Sequence, residues 1–366
     1  MASRNGKRVS PEIKRLAARF VPKRRKPMKA WRVTGQRKAE LIDMGSQSVE
    51  AGCVKLKMLA ASLTPTECDV YNSAAPNALV LGRNGVGLVT ETGGDVTGIK
   101  RGDTVYVRPV SYCGECAHCR SGKKGECEHS YTYGKTEDGV LRDFITVPQS
   151  DAILLPGKIS AEEGVFIETV ALAVATLDKL KLEKGEHIVI VGATDAGLAL
   201  AQVALYYQAV PIVVDMRGDR LELAEKLGIY YTINIVDTDP VKKIFSITCG
   251  KMAETAAYCL LSGMPLQRSF DCLARFGRAA IVGMEHLGRD MTINLLPIFE
   301  KNVTLAPVSG ADDNYLSAVN MLASRAVNVQ PLITKKIPFE SVGASLAEMG
   351  DDISKYAGVV VEIDKL

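Results

Sequence analysis

The run HIVIVGATDAGLALAQVALYYQAVPIVVD, from His187 to Asp215, constrains the fold of this chain more than any other segment. His187 to Val191 is a short apolar stretch rich in β-branched residues, which reads as a strand buried on both faces. A glycine-bearing turn follows, then the apolar helix Leu198–Tyr207, then a second buried strand, Pro211–Asp215. Two such strands joined through a helix must lie parallel with a right-handed crossover, so the run commits this half of the chain to a wound α/β sheet. A further helix at Arg220–Leu227 and strands at Tyr231–Ile235, Ala279–Val282 and Thr304–Ala306 extend it into a doubly wound sheet.

The turn Gly192-Ala193-Thr194-Asp195-Ala196-Gly197 stands where a GxGxxG dinucleotide turn belongs, after a strand and at a helix N-terminus. The middle glycine of that pattern lets the backbone approach a pyrophosphate, and here Thr194 puts a Cβ in its place. Asp195 either adds a negative charge beside the expected anion or caps the helix. Asp215 ends the second strand at about the 20-residue offset from which an acid accepts bonds from the adenosine ribose, which favours NAD(H) over NADP(H). Gly192, Thr194, Gly197, Asp215 and Arg220 are the candidate cofactor-binding residues.

Cys113, Cys116, Cys119 and Cys127 lie in CGECAHCRSGKKGEC, with two, two and seven residues between them. The spacing reads as one structural zinc ion in a closed tetrahedron of thiolates, wrapped by a lobe of about residues 111–128. Free thiols or a disulfide pair are the other reading, and His118 inside the cluster is a possible substitute for one sulfur. Nine cysteines without an apolar leader point to a reducing compartment, and the expectation is cytoplasm. No apolar stretch approaches the ~20 residues needed to span a bilayer.

The formal charge of +3 conceals two populations. Residues 1–29 carry eleven Lys or Arg and one acid, leaving 34 basic against 41 acidic residues beyond them. An acidic body argues against nucleic acid as a partner. Within the basic extension, residues 1–27, Ser10-Pro11-Glu12 starts a short amphipathic helix that Pro22 ends; it suits contact with a partner or a membrane surface, an organelle signal, or no function at all.

Before the wound sheet, glycine-punctuated strands such as Leu79–Gly82, Gly87–Val89 and Asp103–Val107 make a β-rich module, which resumes at Asp143–Val147 and Ala152–Leu155 after the cysteine lobe. The expected organisation is a first module over 28–157, a wound domain over 158–305, and a return of 306–366, with a helix at Leu316–Ala323 and a strand at Gly358–Ile363, to the first module.

From Met28 onward the chain resembles the zinc-containing medium-chain alcohol dehydrogenases, the group of sorbitol and threonine dehydrogenases. The resemblance rests on the cysteine lobe, on GVGLVTETG (Gly85–Gly93), on VTGIKRGDTV (Val96–Val105) and on the unit ending at Asp215. It implies a GroES-like β-rich catalytic domain split in sequence around a Rossmann domain, an active site between them, and a homodimer or homotetramer acting on a small-molecule substrate. It also implies a second, catalytic zinc whose ligands come from three motifs. Thr66-Glu67-Cys68-Asp69 matches the first and puts Thr66 at the ligand-cysteine position. Gly82-Arg83-Asn84 matches the family's Gly-His-Glu and puts Arg83 at the ligand histidine. Ile167-Glu168-Thr169 keeps the third ligand as Glu168.

Thr is a weak zinc ligand and a guanidinium has no lone pair to give, so a conventional catalytic zinc is not expected. Cys68 with Asp69 and Glu168 is the one rescue set in reach. The expectation is that Arg83 either pairs with Glu168 or binds a substrate carbonyl or carboxylate, while Tyr71, near the family's relay histidine, is either a proton donor or a packed aromatic. Arg83, Glu168, Cys68 and Tyr71 are thus the candidate catalytic residues. The function expected is hydride transfer with NAD(H) on a small polar alcohol or carbonyl; the alternative is a catalytically inactive pseudoenzyme that acts as a scaffold.

Overall fold

The computed structural model describes residues 27–45, 47–73, 78–259, 266–283, 294–311, 314–352 and 355–364. The helix expected around Ser10–Pro22 lies outside them.

The first module is β-rich, as expected. It holds β1 (Met28–Gly35), β2 (Lys38–Met44), β3 (Cys53–Leu63), β4 (Leu79–Val80), β5 (Gly85–Thr92), β6 (Thr104–Val107), β7 (Val110–Ser111), β8 (Tyr131–Thr132), β9 (Phe144–Pro148) and β10 (Ala152–Leu154). β3 is its spine: eleven residues, mostly buried, that pair antiparallel with β5 and β9 and so are flanked by sheet on both edges. The small β2-β1-β4 sheet packs beside it, with Trp31 donating from its ring nitrogen to the Phe339 carbonyl at 2.7 Å. The cysteine lobe leaves this module between β7 and β8, which pair with each other.

The second unit is a six-stranded parallel sheet of β11 (His187–Val191), β12 (Val210–Asp215), β13 (Tyr231–Asn234), β14 (Ala253–Tyr258), β15 (Leu273–Val282) and β16 (Thr304–Val308), in the order β13-β12-β11-β14-β15-β16. This is the doubly wound arrangement that puts a ligand crevice beyond the carboxyl ends of the strands, where the winding reverses between β11 and β14. Ile188, Val189 and Ile190 are completely buried, which explains a strand with no polar alternation.

The return to the first module begins later than residue 306. β16 runs to Val308 within the parallel sheet, and the helix Tyr315–Ala323 packs chiefly on the helix Ile167–Leu180, with Tyr315 at its start also meeting Tyr106 of β6. Its buried face of Tyr315, Ala318, Val319 and Leu322 joins the core of the wound unit. Among the described residues, β17 (Lys335–Pro338), the helix Val342–Asp351 and β18 (Val359–Glu362) cross back, with β18 antiparallel to β3. Among the described residues no helix is long and apolar enough to cross a membrane.

Candidate functional site

A cleft runs between the two units. Its walls include Thr66, Arg83, Asn84 and Glu168 on one side, the turn Ala193–Ala196, and strand ends at Asp215, Cys259, Val282 and Ser309 on the other.

On the first side, three local devices hold Arg83. Gly82 has φ +101°, and a Cβ there would lie 2.5 Å from the Leu141 nitrogen, so only glycine fits before Arg83. The helix Pro65–Asn72 opens with a capping box in which the Glu67 carboxylate accepts from the Thr64 backbone N–H at 2.7 Å. The other oxygen of Glu67 accepts from the Arg83 N–H at 2.8 Å, tying the helix start to the Gly82–Asn84 turn. Burial raises the pKa of Glu67, partly offset by its bonds to Thr64 and Arg83.

The guanidinium then reaches Glu168 in the first turn of the helix Ile167–Leu180. Nε and one Nη donate to the same carboxylate oxygen, at 3.2 and 2.6 Å. The two side chains are only 10% and 13% exposed, so the pair is substantially withdrawn from water. Of the alternatives open for Arg83, the structure forms the ion pair.

Cys68 and Tyr71 do not reach the cleft. They sit three residues apart on the face of the helix Pro65–Asn72 that points into the core of the first module, 1% and 6% exposed. Burial pushes the Cys68 thiol up to about 12. Tyr71 carries the Arg37 guanidinium 5.9 Å from its ring centre and is a packed aromatic. Both are withdrawn from the candidate catalytic set, and with Cys68 goes the rescue of a zinc site.

On the other side, Gly192 (φ +108°) turns the chain out of β11 and Gly197 lets the helix Asp195–Tyr206 lie against it; a Cβ on Gly197 would stand 1.9 Å from the Gly192 carbonyl oxygen. Thr194, not Asp195, is the helix cap: its hydroxyl accepts from the Gly197 N–H at 3.1 Å. Asp195 instead folds its carboxylate back on the Ala196 N–H at 2.8 Å. Burial pushes it up to about 6, against the pull of that N–H and of the Arg220 charge. Asp215 accepts from the Ala193 N–H at 2.7 Å and from the Arg217 N–H at 2.9 Å, so the end of β12 is bonded to the glycine turn. Arg220 lines the cleft below it, 5% exposed, with its pKa lowered by burial.

These residues fit a dinucleotide. The turn residues Ala193–Ala196 at the helix N-terminus and the strand-end acid stand in one cleft with Arg83 and Glu168, and the two misfits are the Cβ of Thr194 and the negative charge of Asp195 at the expected anion seat.

The cysteine lobe lies outside the cleft. The sulfurs of Cys113, Cys116, Cys119 and Cys127 all fall within 4.8 Å of one another. Cys113 is 3.9 Å from Cys119 and 3.6 Å from Cys127, close to the ~3.8 Å edge of a tetrahedron with Zn–S bonds of about 2.3 Å. The Cys119 N–H draws the Cys116 thiol below its ordinary range, while burial pushes Cys119 above it. His118 lies 3.1 Å from Glu126 and 3.6 Å from Glu128, and it is not part of the converging set. Among the described residues this is the one group of three or more His, Cys, Asp or Glu whose ligand atoms converge.

Residues that sequence reasoning left unassigned also line the cleft or hold it: Asn84, Glu67 and Arg217. Asn84 stood beside Arg83 in the altered motif, which was its one signal.

Two family models match the chain: the alcohol dehydrogenase GroES-like domain over residues 50–157 and the zinc-binding dehydrogenase over residues 196–324. An uncharacterized zinc-type alcohol dehydrogenase-like protein of Haemophilus influenzae is 32% identical over 278 residues, 76% of this chain and 81% of its own length. The L-threonine 3-dehydrogenase of Pyrococcus horikoshii is 30% identical over 309 residues, 81% and 88% of the two chains. An alcohol dehydrogenase from Escherichia coli, solved with the cofactor NADH, superposes with a TM-score of 0.83 at 21% identity, covering 92% of this chain and 99% of that one.

Proposed function

The chain belongs to the zinc-type medium-chain alcohol dehydrogenases, a family of NAD(P)-dependent oxidoreductases, and from that premise we propose that it interconverts a small polar alcohol and its carbonyl compound without a catalytic zinc. The observation that carries this reading is the Arg83–Glu168 pair in the cleft, beside the glycine turn.

The coenzyme supplies or takes up the hydride. The Ala193–Ala196 turn, shaped by Gly192 and Gly197 behind it, bounds its seat, with Asp215 and Arg220 at the ribose end. The carboxylate of Asp215 favours NAD(H), because a 2′-phosphate would meet a like charge there. Arg83 keeps its positive charge at any working pH and lies where the family's zinc would polarise the substrate oxygen. Glu168 holds the guanidinium in place. In the reductive direction the carbonyl oxygen gains negative charge, which Arg83 stabilises, and takes its proton from solvent.

The same reading covers the assembly and the compartment. Leu295, Leu296, Phe299 and Leu305 are exposed near the free edge strand β16, an apolar surface that suits self-association into the expected homodimer or homotetramer. All nine cysteines are free thiols, which suits the cytoplasm.

The test is turnover of a panel of small alcohols and carbonyls with NADH, NAD and their phosphorylated forms, alongside calorimetry with each coenzyme. The reading expects NADH binding and turnover that falls about 100-fold or more when Arg83 is removed. Binding of neither NADH nor NADPH would sink it and leave a scaffold of the same fold.

A further inference from the structure

Asn84 follows Arg83 in the same turn and lines the same cleft, yet it is 3% exposed and held from two directions. Its backbone carbonyl accepts from the Ser62 N–H at 3.1 Å, fixing the main chain against β3. Its side-chain oxygen accepts from the Tyr106 hydroxyl at 2.8 Å. Tyr106 is completely buried, its ring 6.1 Å from that of Tyr315, and burial holds its hydroxyl well above the ordinary tyrosine range. A hydroxyl that does not ionise is a permanent donor. With the oxygen of the carboxamide committed to it, what Asn84 can offer the cleft is its NH₂ end.

The identity of the residue sharpens this. The family's Gly-His-Glu places a carboxylate at this position, which when ionised can only accept. A carboxamide of nearly the same size donates. The exchange therefore puts a neutral donor next to a cationic one, Arg83, in the part of the cleft where a zinc-dependent relative holds its metal.

We infer that Asn84 donates a hydrogen bond to the substrate's carbonyl oxygen, that Arg83 and Asn84 together form the oxyanion-binding site of a metal-free reductase, and that Tyr106 is the positioning residue that sets the amide's orientation. This rests on the oxidoreductase reading above. It narrows the substrate to compounds whose reacting oxygen is unhindered enough to accept two donors from adjacent residues, such as aldehydes and small ketones.

The experiment measures kcat, KM and coenzyme Kd for the full chain and four variants, Arg83→Ala among them, and the binding of isobutyramide to the NADH-loaded protein. That amide presents a carbonyl oxygen but accepts no hydride. Asn84→Ala is expected to lose about 100-fold in kcat, the usual cost of one oxyanion donor, with NADH Kd unchanged. Asn84→Asp, nearly isosteric should the alanine variant fold poorly, is expected to be as slow at neutral pH and to recover as the pH falls and its carboxyl regains an O–H donor. Tyr106→Phe is expected to lose about tenfold in kcat, since the ring and the fold remain while the amide is released. Isobutyramide is expected to bind the NADH complex at least tenfold more weakly in Asn84→Ala. If both Asn84 variants match the wild type in kcat and amide affinity while Arg83 variants are inactive, Asn84 is no donor and the inference falls, with the oxidoreductase reading intact. If the wild type binds NADH but neither turns over a carbonyl nor binds the amide, both fall.

Discussion

The cysteine lobe and the cleft are the two places where zinc is expected in a chain of this family, and their side chains behave in opposite ways. In the lobe, four sulfurs from a short loop converge within 4.8 Å, with backbone N–H groups already drawing Cys116 towards thiolate. In the cleft, the three positions that the motif resemblance aligns with the family's zinc ligands hold Thr66, Arg83 and Glu168, and the carboxylate is satisfied by the guanidinium. A buried acid without a partner is costly, so losing the ion without replacing its charge would have left Glu168 stranded. An arginine at the histidine position supplies the missing positive charge from within the chain. On the function proposed above, the contrast teaches that a metal site can be given up without loss of the fold when a cation of the protein's own takes the ion's electrostatic place.

The comparison can be broken most forcefully at the lobe. Cys119→Ser should reduce the zinc content from one ion per chain towards none and open residues 111–128 to proteolysis, because structural zinc contributes about 10–16 kcal/mol in small domains. Zinc retained in full by that variant would mean that the four sulfurs are not its ligands. The reverse experiment restores the cleft: Thr66→Cys with Arg83→His, beside the resident Glu168, rebuilds a Cys-His-Glu set and should raise the zinc content by one ion. Failure to take up metal would show that more than the ligands has changed.

Smaller effects follow from the ion pair. Arg83→Ala leaves Glu168 buried and alone, and urea unfolding should show a loss of about 3–5 kcal/mol. The double change Arg83→Met with Glu168→Leu should cost far less than that single one, since no charge is left without its partner. Equal losses would mean that the pair is not electrostatically coupled. The mildest prediction concerns Asp195, whose carboxyl stands above its ordinary 3.8 at about 6. It is charged above pH ~6 and neutral below it, so NADH should bind more tightly as the pH falls from 7 to 5, whereas Asp195→Asn should bind tightly throughout, by roughly tenfold at pH 7. By linkage the folded state takes up this proton before the unfolded one, so the contribution of this group to stability rises as the pH falls through ~6, and the variant should lose that slope. A pH-independent Kd in the wild type would show that Asp195 does not face the bound anion.

What the sequence made legible was what local spacing encodes. The cysteine quartet, the strand His187–Val191 and the acid ending β12 are each readable within a window of some thirty residues. β14, Ala253–Tyr258, was not, because AETAAY has small side chains and no β-branched run, and its strand character comes from lying between β11 and β15. Cys68 and Tyr71 were misassigned because motif alignment gives order along the chain, whereas the helix Pro65–Asn72 turns Thr66 to the cleft and those two to the core. The pairing of Asn84 with Tyr106 spans 22 residues and two strands, a contact that only the antiparallel register of β5 and β6 creates.

The central claim is that an arginine–glutamate pair occupies the site of the catalytic zinc. Elemental analysis of the purified protein, expressed with zinc in the medium and dialysed against metal-free buffer, tests it most directly. One zinc ion per chain, lost in Cys119→Ser and unaffected by Glu168→Gln, is the predicted result. Two ions per chain, with one of them lost in Glu168→Gln, would contradict it.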